Sequence, residues 1–383
     1  MNKTNPGRAV DRNVSIDYLR SLVTVSVVAH HAALAYTTFS SFDPHNYKVA
    51  SAPIVDSVRF FPLNLMVGWN DLYFMSLMFL VSGLFVAPSV ARKGVGVFLS
   101  DRAKRLGIPF ILATIIVSPL TFYASWLLSD PSGNPGFLGD FFSGGTWNPG
   151  PLWFLSVLLI FCVLVAAAFY LLPGLMARLK WAPGSSRGLV ITFVAAALAA
   201  TLPVAFMGWP PSFLLIGPLG MAHPARIFLY FVYFLLGIAL GAGSMQNLLS
   251  RNNLRYWPLW LLLGAVMYLV NGMAGDVFPG LSRSSRTLVD AVTMSFCCAL
   301  TTLALLGAAR SLFRTNWKLF DSLSDNAYGI YVIHYFFVIW TQYVLLSLPY
   351  PAFLKFVISF LTGLTAAWTI TALLRRTVLR KIL

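Results

Sequence analysis

Ten stretches of about 20 apolar residues follow one another along the chain and constrain its fold more than any other feature. They cover residues 16–38, 64–87, 109–128, 151–173, 188–207, 224–243, 257–275, 288–309, 327–347 and 353–374. A helix of about 20 residues crosses the ~30 Å hydrocarbon core of a bilayer, and it satisfies its own backbone hydrogen bonds in lipid. The sequence therefore predicts an all-α, polytopic membrane helical bundle of about ten transmembrane helices.

The connections between these stretches are too short to hold a soluble domain. We therefore expect residues 1–383 to form a single integral membrane domain, with no soluble domain appended. The composition agrees with this prediction, since 58% of the residues are hydrophobic and only 10% are charged.

Lysine and arginine gather on alternate connections, which is the charge pattern that orients membrane helices. Six basic residues lie instead on the remaining connections or at the ends of stretches beside them: Lys48, Arg59, Arg226, Arg283, Arg286 and Lys355. Because Lys and Arg accumulate on the cytoplasmic side, we expect both termini to be cytoplasmic. Orientation then explains most of the net charge of +15, so the predicted partner is the lipid bilayer and not a nucleic acid.

Cysteine and acidic residues limit the chemistry that is open to the chain. Cys162, Cys297 and Cys298 lie in apolar stretches without His or Asp at metal-ligand spacing. We therefore predict neither a disulfide framework nor a metal site. The chain contains no glutamate, so any carboxylate chemistry must fall to aspartate.

The first stretch carries ionisable side chains at Asp17, Arg20, His30 and His31. A charge at mid-bilayer costs at least ~2.5–3.5 kcal/mol on insertion scales, so such groups usually face the protein interior. On a helix, Arg20 and His31 differ by about 20° in azimuth and lie roughly 16 Å apart along the axis, whereas His30 points about 80° away from Arg20. The geometry favours His31 as the partner of Arg20 in chemistry. The alternative is that Arg20 reaches the inner headgroups while His31 only hydrogen-bonds across the bundle.

Asp71 is expected at about the same depth as His31, outward of the middle of the second stretch. A carboxylate that accepts from one ring nitrogen would fix the tautomer of His31 and raise its basicity. Asp71 could equally bond to Asn70, to Trp69 or to a backbone group near the outer surface. The residues alone leave both interpretations open.

Arg102 and Arg105 form an R-x-x-R pair that has Lys104 beside it. A spacing of three places both guanidiniums on one face of an α-helix, and such a fork suits a phosphate or pyrophosphate. The alternative is that these residues are ordinary anchors at the cytoplasmic end of a helix.

Residues 324–336, SDNAYGIYVIHYF, place Tyr328, Tyr331 and His334 at steps of three. These side chains form a polar ladder on one side of a helix. The ladder could line a substrate tunnel, or it could serve interhelical hydrogen bonding. Ser82, which Gly83 follows, indicates first of all a close packing of helices.

In their order along the chain, these motifs resemble those of the acyltransferase 3 family of integral membrane acyltransferases. The matching pieces are the R-x10-H motif at Arg20 and His31, FMSLMFLVSG ending in Ser82 and Gly83, the R-x-x-R pair with Pro109 after it, LWFL around Trp153, and the segment from Tyr331 to His334. RLGIPF and LWFLSVLL look most like the branch that includes the periplasmic glucan succinyltransferase. The resemblance implies a ten-helix protein that acylates hydroxyls, often on cell-envelope carbohydrates.

The resemblance further implies acyl-CoA as a cytoplasmic donor substrate, no metal, and a carbohydrate-type hydroxyl acceptor at the extracytoplasmic side of a bacterial inner membrane. The residues expected to bind the donor are Arg102, Arg105, Lys104 and Ser82. The residues expected to take part in catalysis are His31, Arg20, Asp71, His334 and Tyr331. The oligomeric state is not predicted.

In the implied scheme, His31 activates the acceptor hydroxyl or carries the acyl group transiently, and it returns a proton to the leaving thiolate. Asp71 would orient His31, and Tyr331 or His334 would stabilise the oxyanion. The main alternative is a membrane transporter or flippase that uses the same intramembrane polar stripe. A non-catalytic partner that positions another enzyme is a third possibility.

Overall fold

A computed structural model describes residues 13–48, 52–129, 136–143, 147–172, 174–209, 214–216, 220–243, 248, 250–277 and 279–377. The helices are α1 Val14–Leu34, α2 Pro62–Leu84, α3 Val86–Lys93, α4 Val95–Arg102, α5 Ile108–Trp126, α6 Phe137–Phe142, α7 Trp153–Leu171, α8 Leu175–Arg178, α9 Ser186–Met207, α10 Ile227–Ala242, α11 Arg251–Leu254, α12 Trp257–Val277, α13 Arg283–Leu312, α14 Lys318–Leu345 and α15 Ala352–Leu374.

Shorter elements join some of these helices. A π-helical turn, Ala103–Gly107, links α4 to α5, and 3₁₀ turns at Gly150–Leu152 and Pro224–Arg226 precede α7 and α10. A small antiparallel hairpin pairs β1, Leu214–Ile216, with β2, Gly220–Ala222. Apart from this hairpin, the secondary structure of the described ranges is helical.

The predicted bundle is confirmed, because each of the ten apolar stretches contains one long helix. Within the described residues, nine helical segments are long and apolar enough to cross a membrane. The remaining stretch, the first in the chain, forms α1, which has 21 residues but a lower hydropathy because of its polar side chains. The cytoplasmic location of the termini stays a prediction.

Two of the long helices begin well before their apolar stretches, by five residues or more. α13 starts at Arg283, where the Ser282 side chain caps the helix by accepting from the backbone N–H of Ser285 at 3.2 Å. α14 starts at Lys318 with the polar run KLFDSLSD. Hydropathy does not detect such extensions, because a helix can continue into the polar region beyond the hydrocarbon core.

α1 lies inside the bundle, where it packs against α2, α13, α14 and α15. Near its start, Ser15 Oγ donates to the backbone oxygen of Phe313 at 2.9 Å, and the Tyr18 hydroxyl donates to Asp321 Oδ1 at 2.8 Å. Near its end, Gln342 Nε2 of α14 donates to the backbone oxygens of residues 31 and 32, at 3.0 Å each. α1 and α14 are therefore held in a fixed register at both ends.

Glycines bring α2 and α10 into close contact. A Cβ on Gly83 would overlap the carbonyl oxygen of Phe234, and a Cβ on Gly237 would overlap that of Leu80. This contact confirms that the residues around Ser82 and Gly83 mark close helix packing.

Several of the basic residues that depart from the alternating charge pattern have polar partners in the structure. Three of them pair with aspartates, and their N–O distances are 3.7 Å for Lys48–Asp140, 2.6 Å for Arg226–Asp71 and 2.7 Å for Lys355–Asp56. Arg59 donates to the backbone oxygen of Thr37 at 2.7 Å. The Lys355–Asp56 pair is almost completely buried, so removing either partner would leave a costly unpaired charge.

Candidate functional site

The histidine predicted to do chemistry meets a second histidine where α1 contacts α14. His31 Nδ1 lies 3.0 Å from His334 Nε2. His334 is fully buried, and the Tyr335 ring packs edge-on against His31, with 4.9 Å between the ring centroids. The structure therefore places His31, from the first apolar stretch, beside the polar ladder of the ninth stretch, which forms part of α14.

Backbone carbonyls fix the proton positions of this histidine pair. His334 Nδ1 lies 2.8 Å from the backbone oxygen of Tyr331 and 3.2 Å from that of Ile330. Because a carbonyl only accepts hydrogen bonds, Nδ1 of His334 carries a proton, and Nε2 of the neutral ring is an acceptor. His31 must then donate from Nδ1, which leaves its basic lone pair on Nε2. The pair is thus arranged to present His31 Nε2 as a general base.

His30 has a different environment, as its position on α1 predicts. Its ring stacks on Phe74 of α2, with a centroid distance of 5.1 Å and an interplanar angle of 25°. His30 is buried, whereas His31 is partly accessible. The structure therefore separates the two histidines in the way that the helical geometry indicates, with His31 towards α14 and His30 towards α2.

Arg20 lies on the same continuous helix as His31, so the predicted separation of roughly 16 Å along the axis is kept. Its side chain is exposed at the end of the bundle where α1 begins. This exposure is compatible with binding an anionic ligand and also with a headgroup contact. The catalytic role of Arg20 stays a prediction.

The predicted geometry of the R-x-x-R pair assumed a regular α-helix, but the pair does not lie on one. Arg102 ends α4 and Arg105 lies in the π-helical turn, whose wider i→i+5 winding gives less rotation per residue than an α-helix. The Arg102 guanidinium lies 5.2 Å from the centroid of the Phe98 ring, while Lys104 and Arg105 are exposed. The two guanidiniums therefore have different surroundings, one packed on an aromatic ring and the other open to solvent.

The ladder on α14 connects this π-helical turn with the histidine pair. The Tyr328 hydroxyl donates to the backbone oxygen of Arg105 at 2.6 Å. His334, which meets His31, lies six residues further along α14, after a rise of about 9 Å and a rotation of about 240° from Tyr328. We call these residues, Arg105, Tyr328, Tyr331, His334 and His31, the polar path.

Tyr331 and His334, whose oxyanion roles stay predictions, already have hydrogen-bond partners within the protein. The Tyr331 hydroxyl donates to the backbone oxygen of Pro151 and is buried. Both ring nitrogens of His334 are already engaged, one with backbone oxygens and the other with His31. An oxyanion role for either residue would require one of these hydrogen bonds to be given up.

Asp71 pairs with an arginine and not with His31. Arg226 Nη1 donates to Asp71 Oδ2 at 2.6 Å and to the backbone oxygen of the same residue at 2.7 Å. The Asp71 side chain keeps 39% of its accessible surface, although Asp71 lies near the middle of α2. His223 lies just before α10 and near this pair. Its burial, together with the charge of Arg226, lowers the pKa of His223 to about 4, so this histidine is neutral at pH 7. His334 occupies the position beside His31 that an orienting Asp71 would need.

Sequence reasoning missed Arg226 and Gln342 as parts of this site. Arg226 could have been noticed, since it is one of the few basic residues outside the alternating charge pattern and begins an apolar stretch. Gln342 has no comparable signal in the sequence. Ser82 is partly buried near the end of α2, and its predicted role in donor binding stays untested.

Comparison with known families assigns an activity to this arrangement. A family model described as an acyltransferase domain matches residues 13–372, from the cap of α1 to the last turn of α15. The chain belongs to the acyltransferase 3 family. It is an acyltransferase and an integral, multi-pass membrane protein. No curated protein and no solved structure matches the chain.

Membership of the acyltransferase 3 family makes the histidine pair the candidate active site. Acyl transfer to a nucleophile needs a group that removes a proton near neutral pH, and imidazole is the side chain best suited to it. By the tautomer argued above, His31 carries its basic lone pair on Nε2. The assignment to the branch of the periplasmic glucan succinyltransferase stays a prediction.

Proposed function

We propose that this acyltransferase moves an acyl group from cytoplasmic acyl-CoA to a hydroxyl of a carbohydrate-type acceptor at the extracytoplasmic side. The observation that carries the proposal is the His31–His334 contact, which leaves Nε2 of His31 as a base. His31 lies near the far end of α1 from Arg20, and the polar path leads from it towards the basic turn of residues 102–105. A donor and an acceptor could therefore reach the same nitrogen from opposite sides.

The basic turn is the proposed binding site for the phosphates of CoA. Arg105 and Lys104 are exposed there, and Arg102 lies at the end of the adjoining helix. Guanidinium groups bind phosphate through paired hydrogen bonds, and π-helical turns are frequent at functional sites. Tyr328 ties this turn to α14, so a donor that is bound here starts about two helical turns from the histidine pair.

The reaction follows from the tautomer of His31. Nε2 of His31 removes the proton of the acceptor hydroxyl while the hydroxyl oxygen attacks the thioester carbonyl carbon. The carbon–sulfur bond breaks, and the protonated Nε2 returns its proton to the leaving thiolate, which gives an ester and free CoA thiol. His334 accepts from Nδ1–H throughout, so it stabilises the positive charge that develops on the His31 ring and keeps Nε2 aimed at the substrates.

The acceptor is proposed to approach along the outer ends of α1 and α2. The accessible carboxylate of Asp71 can accept hydrogen bonds from the hydroxyls of a sugar, while Arg226 holds it in place. A sugar with several neighbouring hydroxyls matches an aspartate–arginine pair better than an apolar acceptor does. The proposed location is the inner membrane of a bacterium, where acyl-CoA and envelope glycans meet opposite faces of one bilayer.

The test uses the full-length protein in lipid nanodiscs with acetyl-CoA and succinyl-CoA as separate donors. Oligosaccharides from the envelope of cells that lack the protein serve as acceptor. We expect CoA thiol to be released only when the acceptor is present, and we expect the acceptor to gain one acyl mass increment on an oxygen in mass spectrometry. Thiol release without an acylated hydroxyl, or acylation of an amine, would overturn the proposal. Transport of the oligosaccharide across proteoliposomes without consumption of acyl-CoA would favour the flippase interpretation.

A further inference from the structure

A cavity at the start of α12 has no part in the proposed acyl transfer. It has a volume of about 530 Å³, and its lining residues are Leu254, Arg255, Trp257, Arg310, Ser311 and Arg314. The cavity therefore lies between the beginning of α12 and the end of α13. Ser15 of α1 bonds to the segment that follows α13, so the cavity is at the end of the bundle where α1 begins. This is the predicted cytoplasmic side.

The charge of this cavity suits an anion. Three of the lining residues are arginines, and no acidic side chain is among the described residues that line it. Arg255 lies over the Tyr256 ring at 4.5 Å, and Arg314 uses Nε to donate to the backbone oxygen of Ser311 at 3.2 Å. A guanidinium has five N–H donors, so neither contact exhausts the capacity of the side chain. A phosphate group would accept from the donors of Arg255 and Arg314 that these contacts leave over.

The surroundings of the cavity point to a phosphate that is attached to a lipid. α12 packs mainly on α13, and its outer face is apolar and exposed through Leu259, Leu262 and Val266. This apolar face begins directly beside the cavity. Tyr256 and Trp257 at the same level are the aromatic residues typical of a membrane–water interface. A soluble anion would gain nothing from the apolar face, whereas the acyl chains of a phospholipid would cover it.

We propose that this cavity binds the headgroup phosphate of an anionic phospholipid, whose acyl chains lie along the outer face of α12. Basic pockets between membrane helices on the cytoplasmic side are suited to such headgroups. The bound lipid would join the start of α12 to the end of α13, and α13 in turn packs against α1 and α2. The alternative, in which no lipid binds, is that the arginines only stabilise the C-terminal end of α13, as cations at a helix C-terminus do.

The test compares the full-length protein in nanodiscs of phosphatidylcholine with and without phosphatidylglycerol. Native mass spectrometry counts the retained phosphatidylglycerol, and thermal unfolding reports its effect on the midpoint temperature. Inorganic phosphate and CoA, each added to phosphatidylcholine nanodiscs, form the free-anion arms. We expect phosphatidylglycerol to raise the midpoint and to be retained, while neither free anion reproduces the shift.

The test variant is Arg255→Gln/Arg310→Gln/Arg314→Gln, and the matched control is Arg178→Gln/Arg187→Gln, whose residues are exposed on the same predicted side. At about 1 kcal/mol for each basic residue, we expect the triple change to weaken phosphatidylglycerol binding on the order of a hundredfold and the control to leave it unchanged. If the triple variant does not fold, Arg255→Gln alone replaces it, with an expected loss of about fivefold.

Three results would overturn the proposal. One is an equal retention of phosphatidylglycerol by the wild-type protein and the arginine variant. The second is a midpoint shift that phosphate or CoA reproduces, since the site would then bind a free anion. The third is a loss of stability in the variant that is equal in both nanodisc compositions, which is the result expected if the arginines only stabilise the end of α13.

Discussion

The two ends of the polar path differ in how firmly their side chains are held. At the histidine end, His334 is completely buried and uses both ring nitrogens, and Gln342 fixes the backbone of α1 at His31. At the basic end, Lys104 and Arg105 are exposed on a π-helical turn. The histidine end of the polar path therefore has a single arrangement of hydrogen-bond donors and acceptors, whereas the basic end presents charged side chains to solvent.

This difference matches the two tasks that the proposed function requires. Proton transfer needs the reacting atoms within a few tenths of an ångström of their productive positions, so the base must be supported by neighbours. Binding the phosphates of a large, flexible donor depends on charge, which acts over longer distances and tolerates side-chain motion. We therefore expect changes at the histidine end to affect kcat, and changes at the basic end to affect KM for the donor.

The largest effect is expected from His31→Ala. Loss of the general base should lower kcat by about 10²–10⁴-fold, because no other described side chain can replace His31 beside His334. His30→Ala, on the neighbouring residue, is the matched control and should keep an activity of the same order as the wild-type protein. The measurement is CoA thiol release from acetyl-CoA in nanodiscs. A wild-type rate in the His31 variant would refute the assignment of the base.

A smaller effect, and a different one, is expected from Arg102→Gln/Arg105→Gln. The KM for acetyl-CoA should rise by about 10–100-fold, since charge-assisted hydrogen bonds contribute roughly 1.5–3 kcal/mol and exposure reduces their value. The kcat should change much less. Arg178→Gln, on another exposed basic residue of the same predicted side, is the control. Added salt should raise KM for the wild-type protein more than for the double variant, and a fall in kcat at unchanged KM would contradict the division of tasks.

His334→Leu should lower kcat by about 5–100-fold at a nearly constant KM for the donor. The leucine cannot accept from His31 Nδ1–H, so the tautomer and the orientation of the ring are no longer fixed, at a cost of about 1–3 kcal/mol. His334→Gln offers an amide oxygen as acceptor and should restore part of the rate. Equal rates for the two variants would show that His334 only fills space, and their pH–rate profiles would reveal whether the base itself has changed.

The smallest effect is expected from Tyr331→Phe. Its hydroxyl donates to the backbone oxygen of Pro151, so its loss should lower the free energy of unfolding by about 0.5–1.5 kcal/mol. The kcat should stay close to that of the wild-type protein. A fall of about 10²–10³-fold would instead identify Tyr331 as an oxyanion donor and restore the expectation drawn from the sequence. Thermal unfolding and steady-state kinetics on the same preparation separate the two outcomes.

The polar path shows where prediction from sequence stops. The different directions of His31 and His30 follow from helical geometry alone, and the structure agrees, since His31 turns towards α14 and His30 towards α2. The catalytic role of His31 stays a prediction. The partner of His31 could not be predicted, because Asp71 and His334 both lie at a plausible depth. The choice depends on how α1, α2 and α14 are rotated and shifted against one another. Likewise, the R-x-x-R spacing could not reveal the π-helical turn that gives Arg102 and Arg105 different surroundings.

The sequence by itself determined the number and approximate positions of the long helices and the family. Apolar length and helical periodicity are local properties, and each apolar stretch must become a helix because lipid offers no partner to its backbone. Only the tertiary structure decided which side chains meet. His31 and His334 are separated by 303 positions in the chain, and their hydrogen bond depends on the register in which Gln342 and the start of α14 hold α1. That register is a sum of many packing contacts between distant elements, and no local pattern in the sequence encodes it.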